Sequence, residues 1–533
     1  MFAAFFVIAA ALAIAGVVID NIPDRDVALR YAPMCEAFAS GNWRYAFHPR
    51  IQPLPIVAGG IIARIFQCDG FMASKIASLL WFFAGGVVIW KLFRELYSEK
   101  PWIANAATTF YAFFSYNIRL AYSGLRESCK IFVLLLIAWA LIKVYKNTKG
   151  ISGYILLGAG CALAVLCRAD MIMLGIFLLF TGMVLEAENR KIPLNSLVPI
   201  VLTGGCLLLN TYLNYRIFNW AVPDCRGINI CEKLLNRLPQ MSDMLWLSAA
   251  IFTAMIPGAM LAAWILRKIA AGYFLAAAAV FTIGLSVYRG MSDSAENVTE
   301  FIKALTKGFY HAVGIFTLLT VIYLICRKRF TKGEFILCLI ILGNAFFCIV
   351  PMLLFDGKLY VSERYLYAAV PLMAGFFVIG INEIYQFLRE RYNVTLANAA
   401  LILSCTAISA GFLFHAAQPL LAKYTRKKII REHRAIAEII GIIRNDYRGA
   451  RHRERDMIFD LYCSNKAPLV FWGDNSKLSV AAYLAGGSIT FRLNTTPDFY
   501  VGQSLPGRFR KRARFLKKVV CGKKSYLIWR IKQ

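Results

Sequence analysis

The sequence predicts a polytopic α-helical membrane protein with about 13 transmembrane helices and a small mixed α/β domain after them. Three observations carry this expectation. Of 533 residues 59% are hydrophobic and the mean hydropathy is +0.58, against the roughly 45–50% apolar share of soluble domains. The apolar residues gather in long segments near the ~20 residues that a helix needs to cross a bilayer. Lysine and arginine concentrate in every second connection, as they do in cytoplasmic loops.

In chain order, Phe2–Ile19 lacks a basic leader and a small-residue cleavage pattern, so it reads as a retained first span. A polar loop, 20–55, follows. Leu54–Phe66 is apolar but too short to span, which suits a juxtamembrane helix lying in the outer interface. Further spans are expected at Ala73–Trp90, Trp102–Asn117, Cys129–Ile142, Ile151–Cys167, Met171–Leu185, Asn195–Leu213, Met244–Leu266, Ala270–Tyr288, Phe309–Cys326, Glu334–Leu353, Tyr367–Leu388 and Leu396–Ala416. Segments 91–100, 143–150, 186–191, 267–268, 327–332 and 389–391 hold 16 lysines and arginines in 35 residues. The alternate loops hold 16 in 111 residues, which puts the first set inside and the first loop outside.

Thirteen spans place the tail, 418–533, outside as well, although it holds 25 lysines and arginines against 8 acidic residues. Long domains translocate largely regardless of charge. Tyr424 to Tyr462 has helical apolar spacing, Leu469–Trp472 and Leu527–Ile531 read as strands, and Gly473-Asp474-Asn475 and Gly486-Gly487 as turns. Two domains are therefore expected: a transmembrane domain over 1–417 and an extracytoplasmic domain over 418–533. The basic run Arg508 to Lys524 suits a solvated face or lipid headgroups.

The formal charge of +30 is topological in a polytopic protein and does not argue for nucleic acid as a partner. Of 14 cysteines most sit in apolar segments as small hydrophobes. Cys225 with Cys231, and Cys463 with Cys521, are the conceivable disulfides, and no metal-ligand spacing appears.

The candidate site is the first loop. Asp20, Asp24, Asp26, Arg25, Arg30, Arg44, Arg50 and His48 crowd against hydrocarbon, where ionisable groups are costly unless they have a task. Other outer loops add Arg119, Arg126 and Glu127, then Asp356, Lys358, Glu363, Arg364 and Tyr365. Carboxylates beside fixed arginines suit a reaction in which a carboxylate removes a proton from a hydroxyl while guanidinium groups hold a departing phosphate.

The run Arg25-Asp26-Val27-Ala28-Leu29-Arg30-Tyr31, then Ala37-Phe38-Ala39-Ser40-Gly41-Asn42-Trp43 and Ala46-Phe47-His48-Pro49-Arg50-Ile51-Gln52-Pro53-Leu54, resembles the first-loop signature of the GT-C glycosyltransferases. These are the multi-span enzymes related to protein O-mannosyltransferases and the lipid A aminoarabinose transferase, also described as family 39 or dolichyl-phosphate-mannose-protein mannosyltransferase-like. Gly124-Leu125-Arg126-Glu127, Arg168 and Ser362-Glu363-Arg364-Tyr365-Leu366 extend the resemblance.

It implies a GT-C-like fold and a transferase that moves a sugar from a polyprenyl-phosphate donor to a lipid, glycan or protein hydroxyl. Transfer takes place on the outer face of a plasma membrane, with inversion at the anomeric carbon and no metal or other cofactor. Asp26 is the expected general base, with Asp24 the open alternative. Arg30, Tyr31, His48, Arg50, Arg126, Glu127, Lys358, Glu363 and Arg364 are the expected substrate contacts. Relatives often place an Asp-Glu pair three or four residues before the tyrosine, whereas Asp26 stands five before Tyr31 and no glutamate follows it.

Blander roles compete. Asp26 and Arg30 can form a helix-surface ion pair, and Arg126 with Glu127 can cap the next span. Arg364 can anchor an aromatic belt, and Arg168 and Asp170 are expected to satisfy each other. Pro33 to Gly41 reads as one short helix. The competing class is a transporter or lipid flippase, which would carry charges within its spans and repeated halves. A polysaccharide ligase would carry a large late loop. The sequence offers none of these features outside loop positions.

Overall fold

The computed structural model describes residues 2–168 apart from 21–22, 25, 48–50 and 147–149, then 197–218, 330–356 and 367–391. It also describes five strands and a turn between 469 and 531, and isolated positions elsewhere. The spans expected at Met244–Leu266 and Ala270–Tyr288 lie outside the described residues, as do most of Met171–Leu185, Phe309–Cys326 and Leu396–Ala416. Cys225, Cys231 and Cys463 lie outside them too.

The first helix, α1, is Phe2–Ile19, as expected. Ala9, Ala13, Gly16 and Val17 bury one face, while Val7, Ile8, Ile14 and Val18 stay exposed. Small residues on the buried face allow close approach of a neighbouring helix, the usual device where hydrocarbon surrounds a bundle.

The first loop folds back as three short elements. A π turn, Val27–Tyr31, runs into α2, Ala32–Ala39, and then α3, Trp43–Ala46. Pro33 lies in the first turn of α2 and Gly41, at φ +78°, lies beyond its end, so both helix-boundary signals act as expected. Next, α4 spans Pro53–Phe66 and packs on α2. It is too short to cross a bilayer and exposes Ile61, Ile65 and Phe66, in keeping with an interfacial helix. Glu36 of α2 accepts a 2.9 Å bond from the Gly70 N–H, which ties the loop to the start of the next helix.

That helix, α5, is Gly70–Leu96, and at 27 residues is about 40 Å long. Asp69 caps it, accepting from the Met72 N–H at 2.7 Å. The expected span Trp102–Asn117 is instead two helices, α6 at Pro101–Phe113 and α7 at Ser115–Ser123. The backbone leaves the helix at Phe114, where ψ is 113°. The Asn117 amide donates at 3.0 Å to the Tyr111 carbonyl and so satisfies an acceptor at the break.

Helix α8, Glu127–Lys146, lies against α5, and α9, Ile151–Cys167, against α8. Of the 20 residues of α8, 15 are buried, which places it at the centre of the apolar cluster. Three later helices complete the described bundle: α10 at Leu197–Phe218, α11 at Lys332–Asp356 and α12 at Val370–Arg391. Of these, α10 packs on α9 and α12 on α6. Among the described residues three helices, α5, α8 and α12, are long and apolar enough to cross a membrane.

One end of the bundle is stapled by polar contacts. Thr331 and Glu334 form a reciprocal capping box at the start of α11, and the Tyr97 hydroxyl donates to Glu334 at 2.5 Å. Lys146 at the end of α8 donates to the Glu95 carbonyl. The charged groups of the first loop lie at the opposite end.

In the tail, β1 (Leu469–Trp472), β2 (Ser488–Thr490), β3 (Phe499–Gly502), β4 (Ala513–Cys521) and β5 (Lys524–Ile531) form one sheet in the order β2-β1-β3-β5-β4. Its β1, β2 and β3 are parallel, whereas β5 runs antiparallel between β3 and β4. Both expected strands are present. Of the helix expected over 424–462 the structure describes only a few positions near 435–443.

Candidate functional site

The first loop organises its charges around the π turn. The Ala32 N–H bonds the Val27 carbonyl, five residues back, in place of the usual four; such single π turns recur at functional sites. Asp26 stands at its entrance with helical backbone angles and is half-buried. Asp24 is exposed and turns one carboxylate oxygen inward, accepting the Asp26 N–H at 3.1 Å, while its carbonyl accepts the Ala28 N–H at 2.9 Å. Asp24 thus holds the local backbone in the way an Asx turn does. Arg30 points to solvent, and Tyr31, at the end of the turn, is buried.

Burial raises the Tyr31 phenol above its ordinary pKa; the Arg126 guanidinium works the other way, and Glu127 and Asp26 push it up again. The Arg126 guanidinium lies 5.7 Å from the centre of the Tyr31 ring, within cation–π range.

Arg126 is presented by the turn between α7 and α8. Gly124 there has φ +74°, a left-handed conformation that glycine adopts at little cost. A Cβ at this position would meet Ser74 at 3.2 Å, Val27 at 3.4 Å and Lys75 at 3.6 Å. The missing side chain therefore lets this turn lie directly on the π turn and on α5. The Ser78 hydroxyl donates to the Leu125 carbonyl at 3.0 Å and fixes the turn to α5. A small cleft opens beside it, lined by Tyr31, Ser74, Ser78, Trp81, Arg126 and Cys129.

Glu127 opens α8, where a carboxylate complements the positive end of the helix. Its Oε1 lies 3.1 Å from Nη1 of Arg168, the residue that follows α9, and the side chains are 2% and 7% exposed. Arg168 thus takes Glu127, a partner the sequence did not suggest, while Asp170, its expected partner, lies outside the described residues. The alternative pairing of Arg126 with Glu127 gives way, because helix packing brings the ends of α8 and α9 together while Arg126 is directed over Tyr31.

Two lysines went unrecognised in the sequence. Lys75 on α5 is buried, donates to the Asp20 carbonyl at 2.6 Å and stands 4.5 Å from the Phe71 ring. Lys130, one turn into α8, is buried too. Both fall inside segments expected to be apolar spans, which corrects the expectation that charges are confined to loops. A lysine within three residues of the end of an apolar run is the signal that could have found them.

The structure thus brings together Asp24, Asp26, Tyr31, Arg126 and Glu127, and adds Arg168, Lys75 and Lys130. Arg30 and Arg119 are exposed. His48, Arg50, Lys358, Glu363 and Arg364 lie outside the described residues. Among the described residues no group of three or more His, Cys, Asp and Glu side chains could hold a metal ion.

Residues 48–212 match the model of the dolichyl-phosphate-mannose-protein mannosyltransferase family. No curated protein matches the sequence significantly. Among solved structures the chain resembles the archaeal oligosaccharyltransferase AglB from Archaeoglobus fulgidus in complex with an inhibitory peptide and a dolichol-phosphate. The TM-score is 0.55 at 13% identity, with 91% of this chain aligned to 63% of that one. The same Archaeoglobus fulgidus enzyme in complex with Zn and sulfate gives 0.53 at 13% identity, over 91% and 62%. The chain therefore spans about three fifths of the length of these relatives. ArnT from Cupriavidus metallidurans bound to undecaprenyl phosphate aligns over 99% of this chain and 97% of that one at 12% identity, with a TM-score of 0.42. Similar over 48–212 to the dolichyl-phosphate-mannose-protein mannosyltransferases, the chain shares its fold with an archaeal oligosaccharyltransferase.

Proposed function

We propose that this protein is an integral-membrane glycosyltransferase that moves a sugar from a polyprenyl-phosphate donor to an acceptor hydroxyl on a lipid, glycan or protein. One observation carries the proposal. The first-loop carboxylates lie beside a cluster of cations, the half-buried Arg126 and the buried Arg168, Lys75 and Lys130, supplied by the stretch that matches a mannosyltransferase family. The dolichol-phosphate bound to the archaeal oligosaccharyltransferase is consistent with a donor of this class.

In this mechanism Asp26 takes the proton of the acceptor hydroxyl as that oxygen attacks the anomeric carbon. The bond to the polyprenyl phosphate breaks on the opposite face of the sugar, so the configuration inverts. Arg126 holds the departing phosphate, whose growing charge a guanidinium matches well. Asp26 is taken as the base because the first-loop resemblance points to it, and Asp24, which accepts the Asp26 N–H, orients the turn. Tyr31 keeps its proton throughout the physiological range, because burial raises its pKa, and acts as a neutral donor. His48, Arg50, Lys358, Glu363 and Arg364 are assigned to substrate binding by the same resemblance, and Arg30 to its outer rim.

The proposal includes thirteen spans over 1–417, an extracytoplasmic domain over 418–533 and a plasma-membrane location. In its support, Asp20, Glu127 and Arg168 gather at one end of the bundle. Glu95, Tyr97, Lys146 and Glu334 gather at the other, the sides that the distribution of lysine and arginine assigns to outside and inside.

The test is transfer of radiolabelled sugar from undecaprenyl-phosphate donors into extractable glycans, in membranes with matched amounts of each variant. Asp26→Asn should lower transfer about 10²–10⁴-fold, the usual worth of a general base, while Asp24→Asn retains most of it. Equal incorporation in both variants would remove Asp26 from the mechanism. Transbilayer movement of the labelled donor with no transfer at all would point instead to a flippase.

A further inference from the structure

The basic run of the tail is not used by this chemistry, and its geometry is specific. Among the described residues strand β4 is an edge of the sheet, bonded to β5 along its length. The turn Gly507–Arg512 precedes it, and Phe509 of that turn packs into a small apolar cluster with Tyr500, Trp529 and Ile531 on one face of the sheet. The register pairs Phe515 with Trp529, Lys518 with Leu527 and Val520 with Ser525. These partners alternate along β5, so Phe515, Lys518 and Val520 stand on the face that the turn covers.

A bulge between Phe515 and Lys517 preserves this alignment. Phe515 is 53% exposed and Val520 65% exposed. Arg510, Lys511 and Arg512, at the end of the turn, are all exposed beside them, as is Lys518. The result is two large apolar side chains set among four cations at the edge of the described sheet.

We propose that this face, β4 with the end of the preceding turn, rests on the bilayer and binds the headgroups of anionic phospholipids. The charge is complementary to such headgroups, since basic clusters next to a membrane are drawn to anionic lipid. An exposed aromatic ring and a valine among the cations suit the interfacial layer, where one side of a surface is apolar and the other wet. The contact is independent of sugar transfer, so failure of one does not touch the other.

The test is hydrogen exchange, followed by mass spectrometry, on the full chain in nanodiscs. One set contains phosphatidylcholine alone and the other a mixture with phosphatidylglycerol. Amides of 513–521 should exchange more slowly with phosphatidylglycerol present, and the difference should disappear in high salt, which screens surface charge. Each of Lys511→Gln, Arg512→Gln and Lys518→Gln should weaken the preference about fivefold, with thermal unfolding unchanged. Equal exchange in the two lipid mixtures would overturn the proposal, and the wild-type comparison decides this even if a variant misfolds. Protection produced equally by soluble inorganic polyphosphate in phosphatidylcholine discs would overturn it too, marking the face as a site for an anionic polymer rather than for the bilayer.

Discussion

Replacing Arg168 by methionine tests how the two halves of the site are held together. The residue follows α9, and its guanidinium lies 3.1 Å from the Glu127 carboxylate at the start of α8, with both side chains almost fully buried. At that separation and an effective dielectric constant of ~20 the Coulomb attraction is about 5 kcal/mol. Desolvation of both ions offsets much of it, so the net worth of the pair is far smaller than that figure. Removing one partner is different, because Glu127 keeps its desolvation cost and loses this cation. A loss of about 3–5 kcal/mol is expected.

Thermal unfolding of the purified protein in detergent, read by intrinsic fluorescence against the wild type, measures it. Arg168→Lys should lose less, since it keeps the charge and gives up the planar fork. The double variant Glu127→Gln with Arg168→Met should recover most of the loss, since neither ion of the pair is then left buried without the other. A cost below about 1 kcal/mol for Arg168→Met, well under that of removing one partner of a buried pair, would refute this account, as would a double variant as unstable as the sum of its parts.

Two further outcomes follow from the same geometry. Lys75→Met removes the 2.6 Å bond to the Asp20 carbonyl at the end of α1, and should cost about 1–3 kcal/mol for a buried acceptor left without that donor, read in the same unfolding assay. The Tyr31 phenol is raised above its ordinary pKa by burial, so the folded protein keeps this proton at pH values where the unfolded chain loses it. The resulting stability is fully present below about pH 10, the value of a free phenol, and falls as pH rises beyond it. Tyr31→Phe should therefore flatten part of the alkaline loss of stability, and an unchanged alkaline limb would contradict the raised pKa.

Much of the membrane architecture was legible because bilayer thickness translates directly into segment length. Phe2–Ile19 and Ile151–Cys167 begin and end where their apolar runs do. The helix at Pro53–Phe66 is as short as its apolar run, below the length of a span. The break at Phe114 was hidden, because no proline or glycine marks it and the carbonyl it frees is satisfied by the side chain of Asn117. At the site, the first-loop carboxylates announced themselves by sitting against hydrocarbon. Lys75 and Lys130 did not, since single lysines near the ends of apolar runs are averaged away by hydropathy.

By itself the sequence determined that the chain lies in a membrane, where its longest helices run and which loop concentrates its charge. These properties depend on composition over a window and on the cost of placing an ion in hydrocarbon. Tertiary structure alone decided which charges meet. Glu127 bonds Arg168, 41 residues away, rather than its neighbour Arg126, and the first-loop turn lies on α5 and on the turn before α8 because Gly124 leaves room for it. Partner choice among buried ions is set by distances across packed helices, and periodicity along one helix carries no information about the helix on which its face comes to rest.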